Sequence, residues 1–170
     1  MTSELLDRSL IEEASKKSGL LWVRGAGAPA ARALWHVWHE GAVCLVGDGP
    51  GEQPLPALMD GGVAEVTVRS KDKGGRLVSF PVAVSELVSG SPEWEAVVAE
   101  LKGKRLNAPD GEGMLGRWSR ECRVLRLVPD GDVAPMPSGS LTEPPLPSPA
   151  TTRRPVPAGL PKLLAKRRRK

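Results

Sequence analysis

The chain's densest set of chemically able side chains lies in one short stretch, Arg69-Ser70-Lys71-Asp72-Lys73-Gly74-Gly75-Arg76. A guanidinium fork and ammonium groups form charge-assisted hydrogen bonds to a phosphate, and a Ser hydroxyl adds another donor. Arg69, Ser70, Lys71 and Lys73 are therefore candidate phosphate ligands. The same residues also suit a solvated β-turn, with Asp72 offsetting part of the charge and Gly74-Gly75 supplying positive φ. Residue type alone leaves both readings open.

Other chemistry is thinner. The loop Gly47 to Pro56, GDGPGEQPLP, could expose backbone N–H groups to an anion. It lacks the Lys-Ser/Thr ending of a nucleotide loop and the strand-to-helix setting of a dinucleotide fingerprint, so a plain loop is the simpler reading. Gln53 is its most versatile side chain, able to donate and accept at once. His36 and His39 are three apart, which on a strand turns them to opposite faces and prevents a shared metal. Trp35 and Trp38 likewise face opposite ways, one toward a core and Trp38 free to wall a flat ligand or a partner subunit. Cys44 and Cys122 sit in apolar, strand-like segments without metal spacing, and read as reduced thiols. No GxSxG, HExxH or Cys/His pair points to hydrolysis.

The elements that must position these groups follow from periodicity and punctuation. Ser3 to Lys17 reads as a helix, with Leu6, Leu10, Ile11 and Ala14 at helical spacing, Glu12/Glu13 four residues before Lys16/Lys17, and Gly19 as a stop. Short strands follow at Leu20 to Arg24, Arg32 to Trp38, Ala42 to Val46, Val63 to Arg69 and Leu77 to Glu86, the last with Pro81 marking an edge or a bulge. His39-Glu40-Gly41 turns a hairpin. Ser91-Pro92-Glu93 opens a helix with Trp94, Val97, Val98 and Leu101 on one stripe, and Lys102, Lys104 and Arg105 suit its negative end. Cys122 to Val128 reads as a last strand with one solvated face. Most connections are too short for parallel crossovers, so the expected fold is mainly β, an antiparallel barrel with peripheral helices.

Composition divides the 170 residues. Residues 1–128 hold 16 Lys/Arg and 17 Asp/Glu, while residues 151–170 hold eight basic residues and no acidic one, so the net charge of +4 belongs to the tail. Ten of the 17 prolines fall between Pro129 and Pro161, among Ser, Thr and Gly. The expected organisation is a folded domain over 1–128, a disordered linker over 129–158 and a basic tail over 159–170. RRRK without interleaved aromatics suits salt-sensitive, sequence-indifferent attachment to nucleic acid or another anionic surface, or simply a solubilising end. No apolar run reaches membrane-spanning length and the N-terminus is acidic and mixed, which predicts a cytoplasmic protein.

Three stretches, WHVWHEGAVCLVGDGPGEQPLPAL, VTVRSKDKGGRLVSFPVAV and SPEWEAVVAELKGKRLNAP, resemble the pyridoxamine 5′-phosphate oxidase-like family of FMN-binding split β-barrels, especially its uncharacterised actinobacterial branch, over roughly Leu20 to Pro129. The resemblance implies a homodimer of six-stranded antiparallel barrels that binds FMN, a deazaflavin or haem between subunits and acts as an oxidoreductase on a small molecule. It would give phosphate anchoring to Arg69, Ser70, Lys71 and Lys73, an isoalloxazine contact to Gln53 and an aromatic wall to Trp38. One departure stands out: where flavin-binding members carry Lys or Arg after the second hairpin strand, this chain has Glu52. That departure supports an alternative, a cofactor-free split barrel serving as a binding module whose basic tail recruits an anionic partner.

Overall fold

The computed structural model describes residues 2–72 and 74–136. Lys73, most of the Pro-rich stretch and the basic tail lie outside the described residues. An N-terminal helix α1 (Thr2–Lys17) precedes β1 (Leu20–Gly25), β2 (Arg32–Trp35), β3 (Val37–His39), β4 (Ala42–Gly47), β5 (Val63–Arg69) and β6 (Arg76–Glu86). Then come α2 (Pro92–Lys104), a 3₁₀ turn (Gly111–Gly113), α3 (Met114–Glu121) and β7 (Arg123–Pro129). The seven strands form one antiparallel sheet in the order β2-β1-β5-β6-β7-β4-β3.

The first and last strands of that order are consecutive in the chain, separated only by His36. One extended run, Arg32 to His39, thus pairs with β1 through its first half and with β4 through its second. The sheet must curl until its two ends meet at this run, because adjacent Cα atoms are only about 3.8 Å apart. Counted once, the run makes this a six-stranded barrel, split at His36. The hairpin β3–β4 closes through Glu40 and Gly41, whose φ values of 42° and 78° are those of the two-residue turn that matches strand twist.

The interior is filled by the inward residues of the strands, among them Leu21, Val23, Leu45, Val66, Phe80 and Leu127, with Ile11 of α1 plugging one end. A second cluster lies outside the barrel, where α2 and α3 cover β4 and β7 with Trp94, Val97, Val98, Leu101 and Trp118. Every residue of β4 is consequently buried, which explains its unbroken apolar run AVCLVG. α2 starts as expected: Trp94 N–H donates to Ser91 Oγ at 3.2 Å and Pro92 opens the first turn. Helix α3 has no capping side chain at Gly113, so no start signal marks it in the sequence. The apolar spacing on α1 is only partly used, since Ile11 is buried while Leu6 and Leu10 are exposed.

Pro81 lies neither on an edge strand nor at a bulge. Strand β6 is interior, and the irregularity in its pairing with β5 falls at Val68/Arg69. The Pro81 carbonyl accepts from Asp130 N–H at 3.0 Å, just past the last β6–β7 pair, Val82 with Pro129. A strand residue's N–H and C=O point the same way, so the missing N–H faces the point where β7 ends. Beyond Pro129 the chain stays against β6, Ala134 N–H donating to Ser79 O at 2.7 Å and Arg76 bonding the Ala134 carbonyl at 2.8 Å. Among the described residues, no helix is long and apolar enough to cross a membrane.

Candidate functional site

The two outer faces of the barrel differ in cover. Across β4 and the first part of β7 the helices α2 and α3 cover the sheet, burying every residue of β4 and Val124 of β7. Across β1 and β5 the outward positions alternate with core residues and carry Trp22, Arg24, Glu65, Thr67 and Arg69 beside exposed apolar Leu20 and Val63, and β6 adds exposed Leu77. Arg24 of β1 pairs with Glu65 of β5 at 3.6 Å, and Thr67 Oγ1 hydrogen-bonds Ser79 Oγ at 2.8 Å. Arg69 stands one diagonal step from Trp22, which faces Thr67 across the ladder, and its guanidinium lies 4.2 Å from the Trp22 ring centroid.

Past Arg69 the chain enters the basic turn. Ser70 closes it through its backbone, the N–H donating to Gly75 O at 2.7 Å and the carbonyl accepting from Gly74 N–H at 3.0 Å. Gly74 has a φ of 66°, in the region that favours glycine. Arg69 and Lys71 then border one surface recess of about 410 Å³, together with Lys17 and Ser18 at the end of α1 and apolar Leu77. Lys17 also pairs with Glu13 at 2.7 Å on an exposed helix face, a bond too solvated to hold it there strongly. In the sequence Lys17 reads only as one half of a helical charge pair. Its place beside Arg69 depends on how α1 caps the barrel, for which no local spacing gives a sign.

Trp38 and Gln53 are placed elsewhere. Trp38 is half-buried against the barrel core and borders a different recess, of about 230 Å³, with Arg8, Ile11 and Glu12. Gln53 is engaged with backbone: Oε1 accepts from Trp35 N–H at 2.9 Å, while Nε2 donates to Trp35 O at 2.9 Å and Val46 O at 3.2 Å. Its amide thereby links β2 to β4 across the split. Trp35 packs on the helix-covered side, its ring centroid 6.5 Å from that of Trp118.

Glu52, the residue that departs from the resembling family, has a fully buried side chain. Its carboxylate accepts from Arg105 Nε at 3.0 Å, Arg117 Nη2 at 3.1 Å and Trp118 Nε1 at 3.0 Å. Arg117 in turn donates to Asp110 at 2.7 Å and to the Pro50 carbonyl at 2.6 Å. The hydrogen bond to Asp110, then that to Glu52, holds the Arg117 guanidinium above its usual pKa, and Arg117 holds Asp110 below the usual carboxylate range. This cluster ties the Gly-rich loop to the end of α2 and to α3. The loop itself is tight, since a Cβ on Gly49 would meet Cys122 Sγ at 2.2 Å.

Neither histidine is available at the open face. His36 is buried, its Nε2 within 2.8 Å of the Ser15 carbonyl, and burial pushes its pKa down to about 4. A carbonyl only accepts, so Nε2 carries the proton and donates. His39 Nδ1 pairs with Glu100 at 2.7 Å. Burial pushes the Cys44 thiol up to about 12, an inert form, and Cys122 is half-buried; both are free thiols. Among the described residues, no three His, Cys, Asp or Glu side chains gather in a metal-binding group.

No protein-family model matches the sequence, and no curated protein matches it. Solved structures do. The general stress FMN/FAD binding protein from Xanthomonas citri superposes with a TM-score of 0.50 at 14% identity, over 85% of this chain and 99% of that one. HutZ, the haem storage protein from Vibrio cholerae, superposes at 0.49 with 14% identity over 73% of this chain and 90% of its own. A Clostridium acetobutylicum protein related to general stress protein 26, of the pyridoxinephosphate oxidase family, gives 0.44 at 15% identity over 72% and 84%. At such identities likeness speaks of architecture: this chain has the split β-barrel fold that its sequence resemblance implies.

Proposed function

We propose that the protein binds FMN or a phosphate-bearing deazaflavin at the open face of the barrel, as a homodimer acting in redox chemistry on a small molecule. The observation that carries this is the convergence of Arg69, Lys71 and Lys17 on one recess beside the outward-facing Trp22. Three cations around an open recess suit a phosphate dianion, and the Arg fork adds directional donors. Ser70 lies between Arg69 and Lys71 in the chain, and Lys73 follows two residues after Lys71 in the sequence. The fold supports the reading, as does the name of the Xanthomonas citri protein, an FMN/FAD binder. A bound flavin would supply the hydride or electron transfer, leaving the chain to bind, orient and shield it.

Haem fits the described residues less well, because both histidines are engaged away from this face and Cys44 is buried. Trp38 and Gln53 are left out of the proposed contact set, the first bordering another recess and the second bonded to backbone. A visible absorbance spectrum before and after adding FMN, with titration of the Arg69→Ala/Lys71→Ala double variant, tests the proposal. The double variant should bind at least about tenfold more weakly, a loss of about 1.4 kcal/mol. Unchanged affinity would remove these residues from the site.

One observation favours a second reading, the cofactor-free binding module. The loop in which the resembling family carries its phosphate-anchoring Lys or Arg is closed here by Glu52 onto Arg105 and Arg117. On that reading the purified protein is colourless and ignores added FMN, and its association with nucleic acid disappears when residues 151–170 are deleted.

A further inference from the structure

Beyond Trp22, on the side away from the basic turn, lies a larger recess of about 530 Å³, within the usual range for small-molecule sites. Its lining is mostly small apolar groups, among them Ala28, Pro29, Ala31, Ala33 and Pro56, with Trp22 and Arg32 as its two large residues. Alanines and prolines cannot reach across such a space, so the surface stays shallow and flat. The loop that forms part of it is held in place, since a Cβ on Gly25 would stand 2.1 Å from the Ala57 carbonyl oxygen.

Arg69 connects this recess to the basic one. Its guanidinium lies on the Trp22 ring while the same side chain borders the recess of Lys17 and Lys71. Stacking uses the face of the guanidinium plane and leaves its in-plane N–H donors for an anion. One side of the stack is therefore cationic, and the other is mainly apolar and flat with Arg32 as its one charged lining residue. A purely anionic ligand would leave the apolar side unused, and a purely apolar one would leave the cationic side unused.

We propose that the Arg69–Trp22 stack is the divide of a two-part site, with the ligand's phosphate on the Lys17/Lys71 side and its flat aromatic ring in the recess over Ala33. This rests on the flavin reading above and deepens it by assigning the ring position and by making Trp22 a positioning residue for Arg69. Ala33 faces Trp22 across the β1–β2 ladder and is exposed, so a larger side chain there fills the recess without touching the basic turn.

The test is calorimetric titration of FMN, riboflavin and inorganic phosphate into the full chain and its Ala33→Leu, Lys71→Ala, Trp22→Phe and Trp22→Ala variants. Ala33→Leu should weaken FMN and riboflavin about tenfold or more and leave phosphate unchanged. Lys71→Ala should weaken FMN and phosphate and spare riboflavin. Trp22→Phe should keep FMN binding, and Trp22→Ala should lose both ring and phosphate affinity. Ala31→Leu supplies the same block from the loop should Ala33→Leu fail to fold. Wild-type FMN affinity in both blocked variants would overturn the two-part site while leaving flavin binding intact. A wild-type chain that binds no flavin would overturn the flavin reading itself, and the two-part site with it.

Discussion

The helix-covered face and the open face of this barrel are built from the same sheet, yet they handle charge in opposite ways. Under α2 and α3 the charged groups are matched internally: the buried Glu52 carboxylate meets two Arg side chains and an indole N–H. On the open face, Arg69 rests on a ring rather than on a carboxylate, and Arg24 and Glu65 meet only at 3.6 Å in solvent. Internal matching makes a clamp. Charge left toward solvent makes a surface that a ligand can engage, which is why the candidate site belongs to the open face.

The largest effect is expected at Glu52 on the covered face. Replacing it by Ala removes the carboxylate shared by two largely buried guanidinium groups and Trp118 Nε1, of which only Arg117 keeps a second carboxylate, Asp110, and should cost about 3–5 kcal/mol of stability in urea unfolding. A loss below about 1 kcal/mol would mean that the covered face is not clamped by this residue.

His36, at the split between the two faces, supplies the next effect. Its folded pKa of about 4 lies below the unfolded value of about 6.5. The unfolded chain therefore binds a proton that the folded one refuses, and stability, full above pH 6.5, should fall by up to about 1.4 kcal/mol per unit as pH drops toward 4. His36→Gln should flatten that part of the stability–pH curve, and an identical slope in the variant would contradict the assignment.

Gln53→Ala separates structure from binding. It removes three hydrogen bonds to strand backbone and should cost about 1–3 kcal/mol with FMN affinity unchanged. A variant as stable as the wild type but weak in FMN would return Gln53 to the ligand. The smallest effect belongs to the open face, where Arg24→Ala, breaking a solvated pair, should change stability by about 0–1 kcal/mol. A double-mutant cycle with Glu65→Ala measures it.

The architecture was legible wherever the signal was local. VAEVTVR alternates in sequence and alternates between solvent and core in β5, and Glu40-Gly41 and Ser91-Pro92 mark their turn and cap as residue type predicts. The site was half legible. Arg69 and Lys71 share a strand end and could be read together, whereas Lys17 and Trp22 join them only through helix packing and strand pairing. Glu52 carried the wrong charge for a phosphate anchor, but its true partners stand 53 and 65 residues away, beyond any spacing rule. Helix α3 went unseen because nothing caps it.

The split also bears on how this molecule meets other chains. Where the barrel opens, the two terminal strands are only four and three residues long, Gln53 occupies both main-chain groups of Trp35, and Lys104 Nζ donates to the His36 carbonyl at 3.0 Å. Short, plugged edges give a foreign strand little to template on, which guards against runaway sheet growth and aggregation. Partners that recognise this barrel are thereby directed to its faces rather than its rim.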